Sequence, residues 1–166
     1  MANIPSIDWS RFMVEIPLDV DQKRIEDAWT TRQGIESWFL RSAEFISKDG
    51  VSRTGPEAVQ ACDTYTWTWH GWPDDVRETG LVLAPPEGAF FSFSFGAAGM
   101  VTVALAQKGG HRILVLSQHE IPEDEAGRYN WHVGCKTGWT FYLANLKCIL
   151  LGGPDLRNMD PELSMD

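Results

Sequence analysis

The sequence predicts an α+β fold in which a curved antiparallel β-sheet wraps around one long C-terminal helix, with two short helices after the first strand. Three observations carry this reading. Between residues 43 and 119, apolar residues recur at every second position between short turn signals. From Trp131 to Leu151 they recur at helical spacing, and Gly152-Gly153-Pro154 closes the run. Between the first strand and residue 43 stand two sets of helix caps, each followed by apolar residues three and four apart.

Taken in order, Asp8 to Leu18 reads as the first strand, with Phe12, Val14 and Ile16 set against Arg11, Met13 and Glu15. Pro17 and Asp19 end it. Asp19 or Asp21 caps a short helix in which Ile25, Ala28 and Trp29 share a face. Thr30 or Thr31 caps a second, carrying Ile35, Trp38 and Phe39, and Gln33 stands at capping-box spacing from Thr30. Gly34 weakens that helix. Ala43 to Ser47 is a short strand, and Lys48 to Pro56 a loop broken by Gly50 and Gly55-Pro56. Asp63 to Trp69 alternates cleanly, with Tyr65, Trp67 and Trp69 on one face and threonines on the other. Val76 to Ala84 follows, then Phe91, Phe93 and Phe95 between serines, then Val101, Val103 and Leu105, and last His111 to His119. The short turns at 71–75, 85–88, 96–99 and 108–110 demand antiparallel neighbours. In the final strand both parities are apolar, so its inward face stays open. Trp131, Cys135, Trp139, Tyr142, Leu146 and Ile149 lie within about 80° on a helical wheel, with His132, Lys136, Thr140 and Lys147 on the flank away from them. A start near Gly127 gives a helix about 37 Å long.

Composition narrows the function classes. The 166 residues form one domain, 43% hydrophobic and 22% charged, with eight Trp and eight Phe. A net charge of −9 with no basic run excludes a nucleic-acid groove and disfavours an anionic membrane surface. No stretch of 18 apolar residues occurs, and the N-terminus MANIPSIDWSR has no leader-like apolar segment. Cys62, Cys135 and Cys148 are odd in number and far apart, which reads as reduced thiols in a cytoplasmic protein.

No nucleophile elbow, phosphate loop or dinucleotide fingerprint is present. His132 and Cys135 stand at i, i+3, but no further ligand pair accompanies them, so neither a metal nor a cofactor is expected. A Cys135 nucleophile would require a base beside it, and the plainer reading is a buried structural thiol. Asp74-Asp75 and Glu123-Asp124-Glu125 read as solvated loop charges. Glu15, His70 and His119 are the polar residues nearest a cavity, although surface positions suit them as well; a carboxylate on an apolar wall would have a raised pKa and could do acid–base work.

Several segments taken together resemble the helix-grip fold of the START/SRPBCC superfamily, and within it the branch homologous to the activator of heat-shock protein 90 ATPase. They are Ala28-Trp-Thr-Thr31, Ile35-Glu-Ser-Trp-Phe39, Asp63 to Trp69, Phe91 to Gly96, Ser117-Gln118 and Gly138 to Lys147. The resemblance spans nearly the whole chain. It implies a hydrophobic small molecule held between sheet and helix, without a catalytic residue set. Strand and helix parity place Tyr65, Trp67, Trp69, Phe91, Phe93, Phe95, Trp131, Cys135, Trp139 and Tyr142 towards such a pocket, with Trp38 and Phe39 at one mouth. The resemblance also implies two alternatives: a co-chaperone that binds and stimulates a heat-shock protein 90 homologue, and a cyclase or lyase acting on an aromatic polyketide-like substrate.

Overall fold

The first strand, β1 (Phe12–Pro17), buries Phe12 and half-buries Val14 and Ile16, while Met13 and Glu15 face solvent. The structure, a computed structural model, describes residues 6–163; residues 1–5, part of the leader reading, lie outside the described residues. Helix α1 (Gln22–Thr30) is capped by Asp21, whose carboxylate accepts the Arg24 N–H, and it buries Ile25, Ala28 and Trp29. Asp19 is used elsewhere, accepting the Arg112 N–H at 2.8 Å. Helix α2 (Arg32–Glu36) is capped by Thr31, whose hydroxyl accepts the Gly34 N–H at 2.9 Å. Thr30 instead donates back to the Glu26 carbonyl. Gly34 has a structural reason: a Cβ there would lie 1.9 Å from the Asp27 carbonyl oxygen, because the two helices cross at this residue.

Seven strands make one curved antiparallel sheet. β1 pairs with β7 (His111–His119), β7 with β6 (Met100–Lys108), and β6 with β5 (Ala89–Ser94). A second set runs β2 (Ser42–Ile46), β3 (Thr64–Thr68), β4 (Arg77–Leu81). The Val82–Phe93 bridge and the Leu83 N–H bond to Ser92 O, 2.8 Å, join the two sets where the sheet bends. The sheet's period-two faces behave as the alternation requires: Tyr65 and Trp67 are buried from β3, Phe91 and Phe93 from β5, Val101 and Val103 from β6. In β7 the even parity is inward, with Leu114, Leu116 and Gln118 fully buried. Within the 48–63 connection, Asp63 is 1% exposed and is gripped by Arg53 through two bonds of 2.8 and 2.9 Å.

The long helix closes the concave side. The expected start near Gly127 lies two residues into the helical run, which begins at Glu125; Gly127–Val133 is π-helical and α3 (Gly134–Leu150) is α-helical. A π-turn winds more residues per turn, so a 100° wheel loses phase before residue 134. His132, expected on the solvent flank, is therefore buried; its Nδ1 lies 2.9 Å from the Trp9 carbonyl and its ring edges onto Trp9 and Phe12. From Gly134 on, the phase holds: Trp139, Leu143 and Leu146 are buried, and Gly152 takes the left-handed cap at φ 81°. Beyond it, residues 154–158 turn back as a strap. Arg157 donates to the carbonyls of Glu36, Ser37 and Leu40 at 3.0, 3.0 and 2.9 Å, ending α2 with a guanidinium. Buried Asn145 ties α3 to the Trp38 carbonyl at 2.7 Å and to the Leu156 N–H at 2.7 Å.

Candidate functional site

Where α3 leaves the sheet's open end, the interior is not filled. A cavity of about 350 Å³ opens there, within the range of small-molecule sites. Its helix wall comes from Trp131, Cys135, Trp139 and Tyr142, with Gly134 and Gly138 between them. Its sheet wall comes from Trp69, Trp72, Val76, Glu78 and Phe95. Phe39 closes the inner end, its ring 4.9 Å from that of Trp139 and 4.8 Å from that of Tyr142. Trp72 is 41% exposed and forms part of the rim. The void exists because two glycines on the helix face offer nothing to meet Trp69 and Phe95. At Gly138 an added Cβ would find no atom within 4 Å.

Seven of the twelve residues expected to line a pocket meet at this cavity: Phe39, Trp69, Phe95, Trp131, Cys135, Trp139 and Tyr142. The other five do not reach it. Trp38, Tyr65, Trp67, Phe91 and Phe93 are 2% exposed or less and are packed ring against ring. Tyr65 stacks on Trp67 at 3.9 Å, Trp67 meets Phe93 at 5.0 Å, and Trp38 meets Trp29 at 4.6 Å. The parity of these residues is inward, but their end of the sheet is closed by α1 and α2, so their rings fill space rather than enclose it. Trp38 is further held by its indole N–H, which donates to Ala28 O at 2.8 Å.

The cavity's polar groups were not the ones singled out from sequence. Glu15 sits on the outer face of β1, paired with Lys108 at 2.7 Å. His70 and His119 are half-buried and do not line the cavity. Asp74 pairs with Arg41, and Asp124 caps the π-turn by accepting the Gly127 N–H at 2.7 Å. His132 and Cys135 point to different sides, one to Trp9 and one into the cavity. Among the described residues no three His, Cys, Asp or Glu side chains gather as a metal site, and no helix is long and apolar enough to cross a membrane.

The carboxylate on an apolar wall is Glu78. In the β3–β4 register it stands opposite Trp67, and so shares that residue's inward face. Burial pushes its carboxyl above the usual range, opposed by the Thr79 N–H. Burial likewise raises the Cys135 thiol, with Gln118 opposing and Glu78 adding to the rise. The Tyr142 phenol is also raised by burial, with Arg157 opposing. Both are therefore neutral at physiological pH, which leaves the cavity without an activated nucleophile. Trp139 is fixed from behind: its indole N–H donates to Gln118 Oε1 at 2.9 Å, and Gln118 in turn donates to Ala98 O at 2.8 Å.

Comparison with known proteins agrees with this architecture. No protein-family model matches the chain, and no curated protein matches it by sequence. Solved structures do. A protein of Staphylococcus saprophyticus superposes with a TM-score of 0.66 at 16% identity, covering 89% of this chain and 96% of that one. The Aha1 dimer from Colwellia psychrerythraea gives 0.61 at 14%, covering 86% and 97%. DynU16, a putative protein in the dynemicin biosynthetic locus, gives 0.60 at 15%, covering 90% of this chain and 50% of that one. At these identities the likeness establishes the fold alone, a curved antiparallel sheet gripping a long C-terminal helix.

Proposed function

We infer that this protein binds a hydrophobic, ring-bearing small molecule in the cavity between α3 and the open end of the sheet. One observation carries the reading: an open space of about 350 Å³ bordered by seven aromatic side chains, adjoining an interior that is otherwise packed ring to ring. A pure core would have closed such a void, since unfilled space forfeits dispersion contacts. Flat rigid rings are instead suited to sandwich a flat guest. The alternatives have less support. A lyase or cyclase requires a paired acid and base, and the cavity offers a single carboxylate beside a neutral thiol and a neutral phenol. The co-chaperone reading rests on the shared fold, with no residue of the cavity in its favour.

Four of the eight tryptophans border the cavity, so tryptophan emission reports its occupancy. Titration with flavonoids, small aromatic ketones and fatty acids is expected to quench or shift that emission saturably, and to raise the melting temperature with occupancy. Gly138→Phe, which places a ring in the void from a helical position with free space around it, is expected to abolish both responses while the protein stays folded. A response that survives in Gly138→Phe would place binding elsewhere, and no response to any ligand class would leave the cavity without a guest.

A further inference from the structure

We propose that the cavity selects an organic cation, a tertiary or quaternary ammonium attached to an apolar body, with Glu78 as its counter-charge and the surrounding indoles as its cage. This rests on the binding reading above and specifies the chemistry of the guest.

The charge inventory of the cavity is one-sided. Glu78 is its only carboxylate, and among the described residues no Lys, Arg or His lines it. Glu78 is half-buried, and the hydrogen bond that supports its carboxyl comes from the Thr79 backbone N–H rather than from a cationic side chain. Several other carboxylates that lose water gain a cation. Asp63 is held by Arg53, Asp155 by Arg157 and Glu36 by Arg32. Among the described residues Glu78 has no such cation, and it borders a space where a guest has room to supply the missing charge. A carboxylate withdrawn from water without a partner is unfavourable, and a bound cation removes that penalty.

The walls fit the same guest. Trp69, Trp72, Trp131 and Trp139 place four indoles in the same lining as the carboxylate, and indole is the strongest aromatic partner for a cation. An alkylated ammonium is weakly hydrated, so it enters such a cage with little loss. A hard ammonium such as a lysine head would have to surrender strong water contacts for aromatic faces that offer no hydrogen-bond acceptors beyond Glu78. Neutral aromatic ligands gain the stacking but leave Glu78 uncompensated, and anionic ones meet it directly.

The test uses two probes of the same shape. Benzyltrimethylammonium and neopentylbenzene differ in a nitrogen replaced by carbon, and so in charge alone. Binding to the full chain is followed by tryptophan emission and melting temperature, in the wild type and in Glu78→Gln. The cation is expected to bind about tenfold more tightly than the neutral isostere, and Glu78→Gln to erase most of that preference without weakening the isostere. The wild-type comparison stands by itself should the variant fail to fold. Equal or tighter binding of neopentylbenzene overturns the cation proposal and leaves the cavity a neutral apolar site. A cation preference that persists undiminished in a folded Glu78→Gln overturns the role of Glu78. Binding of neither probe, with no response across the wider panel, overturns the binding reading and this proposal together.

Discussion

Trp139 is the residue on which both the core and the cavity depend, and its removal has a calculable effect. The side chain is 3% exposed, and its ring lies 4.9 Å from Phe39, 5.8 Å from Phe95 and 6.0 Å from Trp29. A buried indole withdraws roughly 150 Å² more surface from water than the alanine that would replace it. At about 25 cal/mol per Å², that is about 4 kcal/mol. The substitution also strands the buried Gln118 Oε1, which loses its indole donor, for about 1–3 kcal/mol more. Because Trp139 already borders the cavity, the new space opens onto solvent and water can reach Gln118, which pulls the sum back to about 4–5 kcal/mol. Trp139→Phe isolates the hydrogen bond, keeping a ring in place at a loss of about 1–3 kcal/mol. Thr140→Ala is the control: Thr140 is exposed and its hydroxyl donates back to the Lys136 carbonyl, so the change is expected to be near zero. Urea unfolding followed by far-ultraviolet circular dichroism is the appropriate assay, since fluorescence would be altered by deleting a reporter. The midpoints should fall in the order Thr140→Ala, Trp139→Phe, Trp139→Ala, with the slopes unchanged. A Trp139→Ala midpoint equal to that of Thr140→Ala would show that the helix packs by another face.

Three further outcomes follow from the same contacts. Gly34→Ala should lose about 3 kcal/mol in the same assay, because its Cβ would press on backbone atoms of Asp27 and Ala28 that have no room to retreat; a neutral result would mean that α1 and α2 do not cross there. Arg157→Met should lose about 2–3 kcal/mol by freeing three carbonyls, and Arg157→Lys should recover less than half, since a single ammonium cannot match the fork that reaches Glu36, Ser37 and Leu40. Burial alone would raise the Asp63 carboxyl, but the Arg53 guanidinium and the Gln60 N–H outweigh it and hold it below 3.8. A depressed folded value means that the stability from this pair is present above the ordinary aspartate range and is lost as pH falls through the folded value. Asp63→Asn should therefore cost about 3 kcal/mol at pH 7 and progressively less below about pH 3.8, and a difference constant from pH 7 to 2.5 would refute the pairing.

Local pattern alone determined the order of the elements, the inward parity of Tyr65, Trp67, Phe91 and Phe93, and the end of the last helix at Gly152, because period, caps and breakers act within a few residues. The sense of β7 needed its neighbours, since both of its parities are apolar and only the burial of Leu114, Leu116 and Gln118 in the assembled core selects one. The π-turn before Gly134 is likewise invisible to a fixed 100° wheel, which sets His132 on the flank away from the apolar stripe although the fold buries it. Arg157 reaches carbonyls about 120 positions earlier in the chain, a pairing no local signal encodes. Glu78 carries no local signal, because a strand of alternating polar residues does not announce its inner face; that face follows from the register that sets Glu78 opposite Trp67. Parity identifies which side chains point inward but not whether the space they enter is filled. Filling depends on volumes summed over elements far apart in sequence. At Tyr65, Trp67 and Phe93 those volumes meet, whereas at Gly134 and Gly138 they fall short, and tertiary packing alone opened the cavity there.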